Sequence, residues 1–412
     1  MVTTVMNTIV RRELSVVGPK EVRATAVQIR RDPIREMTED LCDTVFASLR
    51  RKDQREKALR YVRGLLATSG RKSIRSIAAH VEGDAAEQSL HHFIFSSTWD
   101  WQPLRTALSG YLESTTPLTA WVAQPMAIPK GGEHSVGVGH HFDPHQGQMF
   151  RGQQAFGTWF TSPEVATPVG WRLFVPDGEN NVEAAANSVR RSTGSSPEPT
   201  HHTSYEECAA SGVIETVKAA AMPARPVVLD VRNIGTRPTM NRFAEAKIPV
   251  MARISPISRL LVTDPALPGY GAGPLNAGDI LQSLKGLRAP VEWVDPVGSS
   301  ARRSTLAVAV GVMMPDPSAA RRRQLVLVGE WADPHGLPTQ LWITDLTRMP
   351  VGRLLRLTKQ ATRVALTSQR SGQELGLRDY AGRSLHGWHR HVTLASIAHA
   401  AHRLAAARQQ RS

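Results

Sequence analysis

Asp230 closes an apolar run, Pro226-Val227-Val228-Leu229, that reads as a buried strand with a carboxylate at its C-terminal tip. A carboxylate so placed suits a hard divalent cation, and two-metal hydrolysis needs further oxygen ligands converging on it. Other side chains with metal- or proton-handling chemistry are Glu133, Asp143, Glu374 and Asp379, and the pair His140-His141 with His145 beyond. A C-terminal set follows: His386, His389, His391, His399 and His402. Adjacent histidines on a strand point to opposite faces, so His140 and His141 cannot share one ion without a bulge. Core packing or surface polarity accounts for the first pair, and in the second set Trp388 is an apolar anchor. No metal site is assigned to either.

Periodicity gives the elements that must position these residues. Residues 36–115 read as short helices. Leu59, Val62, Leu65 and Leu66 share one face, and Ser73 caps a helix carrying Ile74, Ile77 and Val81. Leu90 to Phe95 forms a third helix. From about 116 the pattern shifts to apolar stretches at Leu118 to Ile128, Ser135 to Phe142, Gln154 to Phe160 and Trp171 to Val175, as in an antiparallel meander. Residues 177–204 are polar and rich in Ser, Pro and Gly, which is the composition of a surface loop. A helix from Tyr205 to Ala221 leads to the strand ending at Asp230, and further strands are expected at Leu306 to Met313, Leu325 to Val328 and Leu341 to Thr344. Val351 to Leu366 and Leu394 to Arg408 return to helical spacing. The plan is mixed α/β.

Among 412 residues, Lys and Arg number 50 and Asp and Glu 36, an excess of 50 − 36 = 14. With no apolar run long enough for a membrane span, that excess favours a polyanionic partner, although an Arg-rich composition bias explains part of it. Arg55, Arg60, Arg63, Arg71, Lys72 and Arg75 lie along the N-terminal helices, as in a small DNA-docking bundle, and a packing domain with solvated basic residues fits them equally. Cys42 and Cys208 form neither a zinc site nor a disulfide framework, and no signal peptide is read at the N-terminus. The expected localisation is cytoplasmic and nucleoid-associated.

Several blocks together resemble the DDE-type transposases of bacterial insertion sequences, in the branch called DDE superfamily endonuclease. YVRGLLATSGRKSIRSIAAHVEGDAAEQSLHHFIFSSTWDWQPLR (61–105) is similar to that family's helical entry region. IPKGGEHSVGVGHHFDPHQGQMFRGQQAFGTWF (128–160) is similar to its first hairpins and WRLFVP (171–176) to its next strand. GLRDYAGRSLHGWHRHVTLASIAHA (376–400) is similar to its closing stretch. The resemblance implies an RNase H-like core of residues 116–400 with a β-rich insertion at about 255–345. Before that core lie an extension (1–35) and a helical, DNA-binding domain (36–115), and after it a basic tail (401–412).

The resemblance also implies two Asp and one Glu holding paired divalent ions, usually Mg²⁺. Anchored on Pro129 and Lys130, the first acid falls on Gln124. Asp230 matches the second, and the count back from Gly376 puts the Glu at Ala365. Asp230 is then the remnant of a triad that has lost two members, so no cofactor is expected, or Mg²⁺ if activity survives. The implied function is a transposase-like protein that binds double-stranded DNA without cutting it, with a regulatory role and a homodimer left open. An active recombinase using relocated acids and a protein-interaction scaffold stay open as alternatives. Phosphate contacts are expected from Lys130, Arg63, Arg71, Lys72, Arg75, Arg383 and Arg390, and a solvated helix face explains Arg383, Arg390 and the tail residues Arg403, Arg408 and Arg411 equally well.

Overall fold

Five helices open the described part of the chain in this computed structural model: α1 (Pro33–Phe46), α2 (Lys52–Ala67), α3 (Ile74–Ala78), α4 (Ala86–Phe95) and α5 (Gln102–Thr115). The structure describes residues 32–81, 85–132, 135–143, 147–175, 204–231, 235–294, 301–316 and 323–411. The expected extension through residue 31, most of the polar loop at 177–204, Glu133, His145, Arg321 and Arg322 lie outside the described residues. Ser73 caps α3 as expected: its hydroxyl accepts from the Ser76 amide, and the Ser76 hydroxyl accepts from the Ser73 amide. On α2 the buried stripe is Ala58, Tyr61, Val62 and Leu65, while Leu59 and Leu66 pack at its margin.

A meander follows, of β1 (Ala120–Pro129), β2 (Val138–Asp143), β3 (Gln148–Thr161) and β4 (Ala166–Leu173). The long β3 is its spine. It pairs antiparallel with β1 along one edge, while β2 and β4 share the other edge end to end. Helix α6 (Tyr205–Ala220) then leads to β5 (Val227–Leu229), and α7 (Thr236–Glu245) leads to β6 (Val250–Arg253). Both strands run parallel to β1, in the order β3-β1-β5-β6. The continuously apolar β5 is buried on both faces, as interior parallel strands are.

The region expected as a β-rich insertion extends this same sheet. It contains β7 (Arg259–Val262), β8 (Leu275–Asn276), the short helix α8 (Ala277–Ser283), β9 (Ala289–Val294), β10 (Arg302–Met313), β11 (Leu325–Trp331) and β12 (Gln340–Thr344). Because β12 pairs antiparallel with β6, one mixed sheet of twelve strands results. The mixed α/β plan expected from periodicity is present. Helix α9 (Val351–Glu374) lies on one face of the sheet, where Leu354, Leu357, Ala361 and Val364 pack on Val122, Val228, Met251 and Trp342. Alternate residues, Trp121, Ala123, Val227 and Leu229, face the opposite core, which contains residues of α6.

Helix α10 (Leu385–Arg411) begins nine residues before the expected Leu394 and joins the helical region to the sheet. Arg105 donates to Thr393 Oγ1 at 2.9 Å, to the Trp171 carbonyl at 3.1 Å and to His389 Nδ1 at 3.0 Å. His391 accepts from the Tyr61 hydroxyl at Nδ1 and donates from Nε2 to the Gly376 carbonyl, because a carbonyl can only accept. His399 lies between Thr167 Oγ1 at 2.7 Å and Ser371 Oγ at 2.9 Å. The closing histidines that drew attention as possible ligands thus include three whose ring nitrogens are used inside the fold.

Burial holds the His391 and His399 rings neutral. It pushes the His399 imidazole down to about 3, with Arg403 and His402 adding repulsion, and it lowers His391 in the same direction. Both rings would take protons near 6.5 once unfolded, so their stabilisation is complete above that pH and is lost as pH falls towards the folded value. The expected result is an unfolding free energy, read from urea denaturation, that drops by up to about 1.4 kcal/mol per pH unit per buried histidine below about pH 6.5. His399→Gln should flatten that slope, and a wild-type unfolding free energy unchanged between neutral and mildly acidic buffer would contradict it.

Candidate functional site

The registers of three adjacent parallel strands build the site. Ala123 on β1 pairs with Leu229 on β5, which pairs with Ala252 on β6. Carried one residue further, these registers set Gln124, Asp230 and Arg253 side by side on the α9 face, one step along from Val122, Val228 and Met251. Gly157 of β3 continues the row beyond Gln124, and Trp342 of β12 continues it beyond Arg253. Gln124 and Asp230 are 3% and 6% exposed, so whatever meets the Asp230 carboxylate comes mainly from the protein. Arg253 meets it: Nη1 donates to Asp230 Oδ1 at 3.1 Å, and the guanidinium lies 6.0 Å from the Trp342 ring centroid.

The two strand positions singled out from the sequence are therefore neighbours. Ala365 follows Val364 on α9, whose apolar stripe covers the same sheet face. Arg363 donates to the carbonyls of Ser162 and Pro163 in the β3–β4 turn. The other acids lie apart from this row. Asp379 accepts from the Lys72 amide at 2.8 Å, Glu374 is exposed at the end of α9, and Asp143 closes β2. His141 is buried against the Tyr205 hydroxyl at 2.9 Å, while His140 is exposed on the opposite face, as strand alternation requires. Among the described residues no three His, Cys, Asp or Glu side chains gather as a metal site.

Does the row fit the divalent ions that the resemblance implies? Mg²⁺ needs several hard oxygen donors and carboxylate charge. The row offers one carboxylate, an amide side chain and a guanidinium already bonded to that carboxylate. This donor set does not fit the ion.

The basic residues divide into two groups. Lys72 is buried, with Nζ donating to the Thr68 carbonyl, and Arg390 is buried, donating to the carbonyls of Ile94 and Trp99. Both cations therefore satisfy loop and helix-end carbonyls of the protein. Arg63 is exposed and paired with Glu39 at 2.6 Å, and Arg75 is exposed on α3. The remaining cations cluster where β1 ends. Lys130 Nζ donates to the carbonyls of Gly382 at 2.8 Å and Tyr380 at 3.3 Å, which places it beside the exposed Arg383. Partial burial pushes the Lys130 ammonium down to about 8, and repulsion from the exposed Arg71 adds to this. Arg151, also exposed, donates to the Gly131 carbonyl at 2.9 Å.

A protein-family model described as DDE superfamily endonuclease matches residues 44–315, more than half of the chain. The chain belongs to the DDE superfamily endonuclease family. It is thus transposase-like, and no curated protein matches it. The family match takes in Gln124, Asp230 and Arg253 together with the basic cluster residues Arg71, Lys130 and Arg151. It ends before α9 and so does not reach position 365. Among the described residues no helix is long and apolar enough to cross a membrane.

Two residues of this site were missed in the sequence. Arg253 ends β6 as Asp230 follows β5, and the signal was the repeat of a helix followed by a short apolar run ending in a charge. Arg151 was hidden in the block 128–160, read for its glycines.

Proposed function

We propose that this member of the DDE superfamily binds double-stranded DNA through the cluster around Lys130 and does not cleave it with metal ions. Its core is RNase H-like on this reading. Support comes from an antiparallel meander followed by parallel strands, with the first and second acid positions side by side on β1 and after β5. The observation that carries the reading is the row Gln124, Asp230, Arg253, in which the second acid is neutralised by an arginine and the first is an amide. Each lost carboxylate lowers the repulsion of phosphate, so the changes that remove catalysis favour binding. A role in regulating DNA to which it binds follows as the use of such a protein.

Direct tests are a gel shift over a salt series in EDTA and a nicking assay on supercoiled plasmid. Binding at low salt that weakens log-linearly with salt, with no nicking in Mg²⁺ or Mn²⁺, is the expected result. Nicking that Asp230→Asn abolishes would establish an active recombinase instead. Absence of duplex binding at low salt would end the proposal.

A further inference from the structure

In the row left by the parallel strands, the charge facing Asp230 is carried by the protein itself. We propose that Arg253 takes the place of the metal ion: a fixed cation that neutralises Asp230 and keeps divalent ions out of the row. This rests on the reading that the row is a former metal site, and it is independent of DNA binding.

Three observations carry it. Backbone pairing, and not a flexible side chain alone, delivers the guanidinium, since β6 pairs with β5 along its length and ends opposite Asp230. The two side chains are 18% and 8% exposed, so solvent does little to screen their attraction at 3.1 Å. Behind the guanidinium lies the Trp342 ring, itself buried in the core under α9, which limits where Arg253 can move. Charge bookkeeping gives the same answer. Asp230 and Arg253 sum to zero beside the neutral Gln124, whereas one added divalent ion would leave the buried row at a net charge of two. Replacing Arg253 by a neutral residue reverses the situation, because Asp230 would then be buried without its counter-charge and would attract a cation.

The test is Mn²⁺ binding to the full chain, read by electron paramagnetic resonance of free Mn²⁺ and by thermal melting with and without millimolar Mn²⁺. Wild type and Arg253→Lys, which keeps the charge, should bind no Mn²⁺ that depends on Asp230 and should melt at unchanged temperatures. Arg253→Gln should melt lower in EDTA and recover with Mn²⁺. Gln124→Asp combined with Arg253→Gln should bind Mn²⁺ at least about tenfold tighter than Gln124→Asp alone, in which Arg253 can serve both carboxylates. Wild-type binding of Mn²⁺ that Asp230→Asn removes would overturn the inference, as would equal Mn²⁺ affinity in the two Gln124→Asp proteins. If the Arg253→Gln proteins do not fold, wild type decides alone: Mn²⁺ binding that Asp230→Asn removes overturns the proposal and its absence supports it. Duplex binding by wild type in EDTA is scored separately, so either reading can fail without the other.

Discussion

Reversing charge at Arg71 and Arg383 together is expected to weaken duplex binding by roughly 10- to 100-fold at moderate salt and to lower the salt slope by about two. Both side chains are exposed, and both lie next to Lys130, which is anchored to the loop before Arg383 and feels the field of Arg71. Lys130 itself is a poorer target, because its ammonium holds two carbonyls and Lys130→Glu would disturb the loop as well as the charge. The useful control is Arg63→Glu: Arg63 is equally basic in sequence, but it is paired with Glu39 on the helical bundle away from this loop. Fluorescence anisotropy across a salt series separates the outcomes. If Arg71→Glu/Arg383→Glu keeps wild-type affinity and slope, the cluster is not the DNA contact.

That control also shows where the sequence stopped being readable. Seven cations were candidates by type and by neighbourhood, yet Lys72 and Arg390 are consumed by carbonyls at the ends of α2 and α4 and in the loop after α4. Which cation stays outside is decided by how loops end against one another, and no local pattern encodes it. The histidines of α10 pack on the core, as the family resemblance implies, but their partners were not legible: α1, α2 and β4 cover the helix, so its polar atoms pair inside the fold. Strand ends were more legible. Apolar runs of three to ten residues fixed β1 and β5, and the neighbourhood of Gln124 and Asp230 followed once both were aligned to one family pattern. Arg253 was not legible, because its position depends on a parallel pairing set through the crossover helix α7.

Removing Lys359 should cost about 3–5 kcal/mol of folding stability, among the largest effects of any single substitution in this chain. Lys359 on α9 pairs with Glu330 on β11, with the two side chains 10% and 8% exposed. Its ammonium also lies 4.6 Å from the Trp293 ring centroid, which adds a cation–π contribution. Lys359→Met leaves the Glu330 carboxylate buried without its counter-charge. Replacing both partners, as Lys359→Met/Glu330→Leu, should restore stability to about the wild-type level or above, since matched apolar residues often equal a buried pair. Urea denaturation of the two single variants and the double gives the coupling directly. Roughly additive losses would mean that the pair is not coupled in the folded protein. The consequence reaches the site through packing: α9 is pinned to β11 by this pair, and its next two turns carry Ala361 and Val364 onto Val122 and Val228. Those residues precede Gln124 and Asp230 by two positions, so a loosened α9 uncovers the row. The single variant should therefore expose the Asp230–Arg253 pair to solvent, and backbone amide exchange at the end of β5 should rise along with the loss of stability.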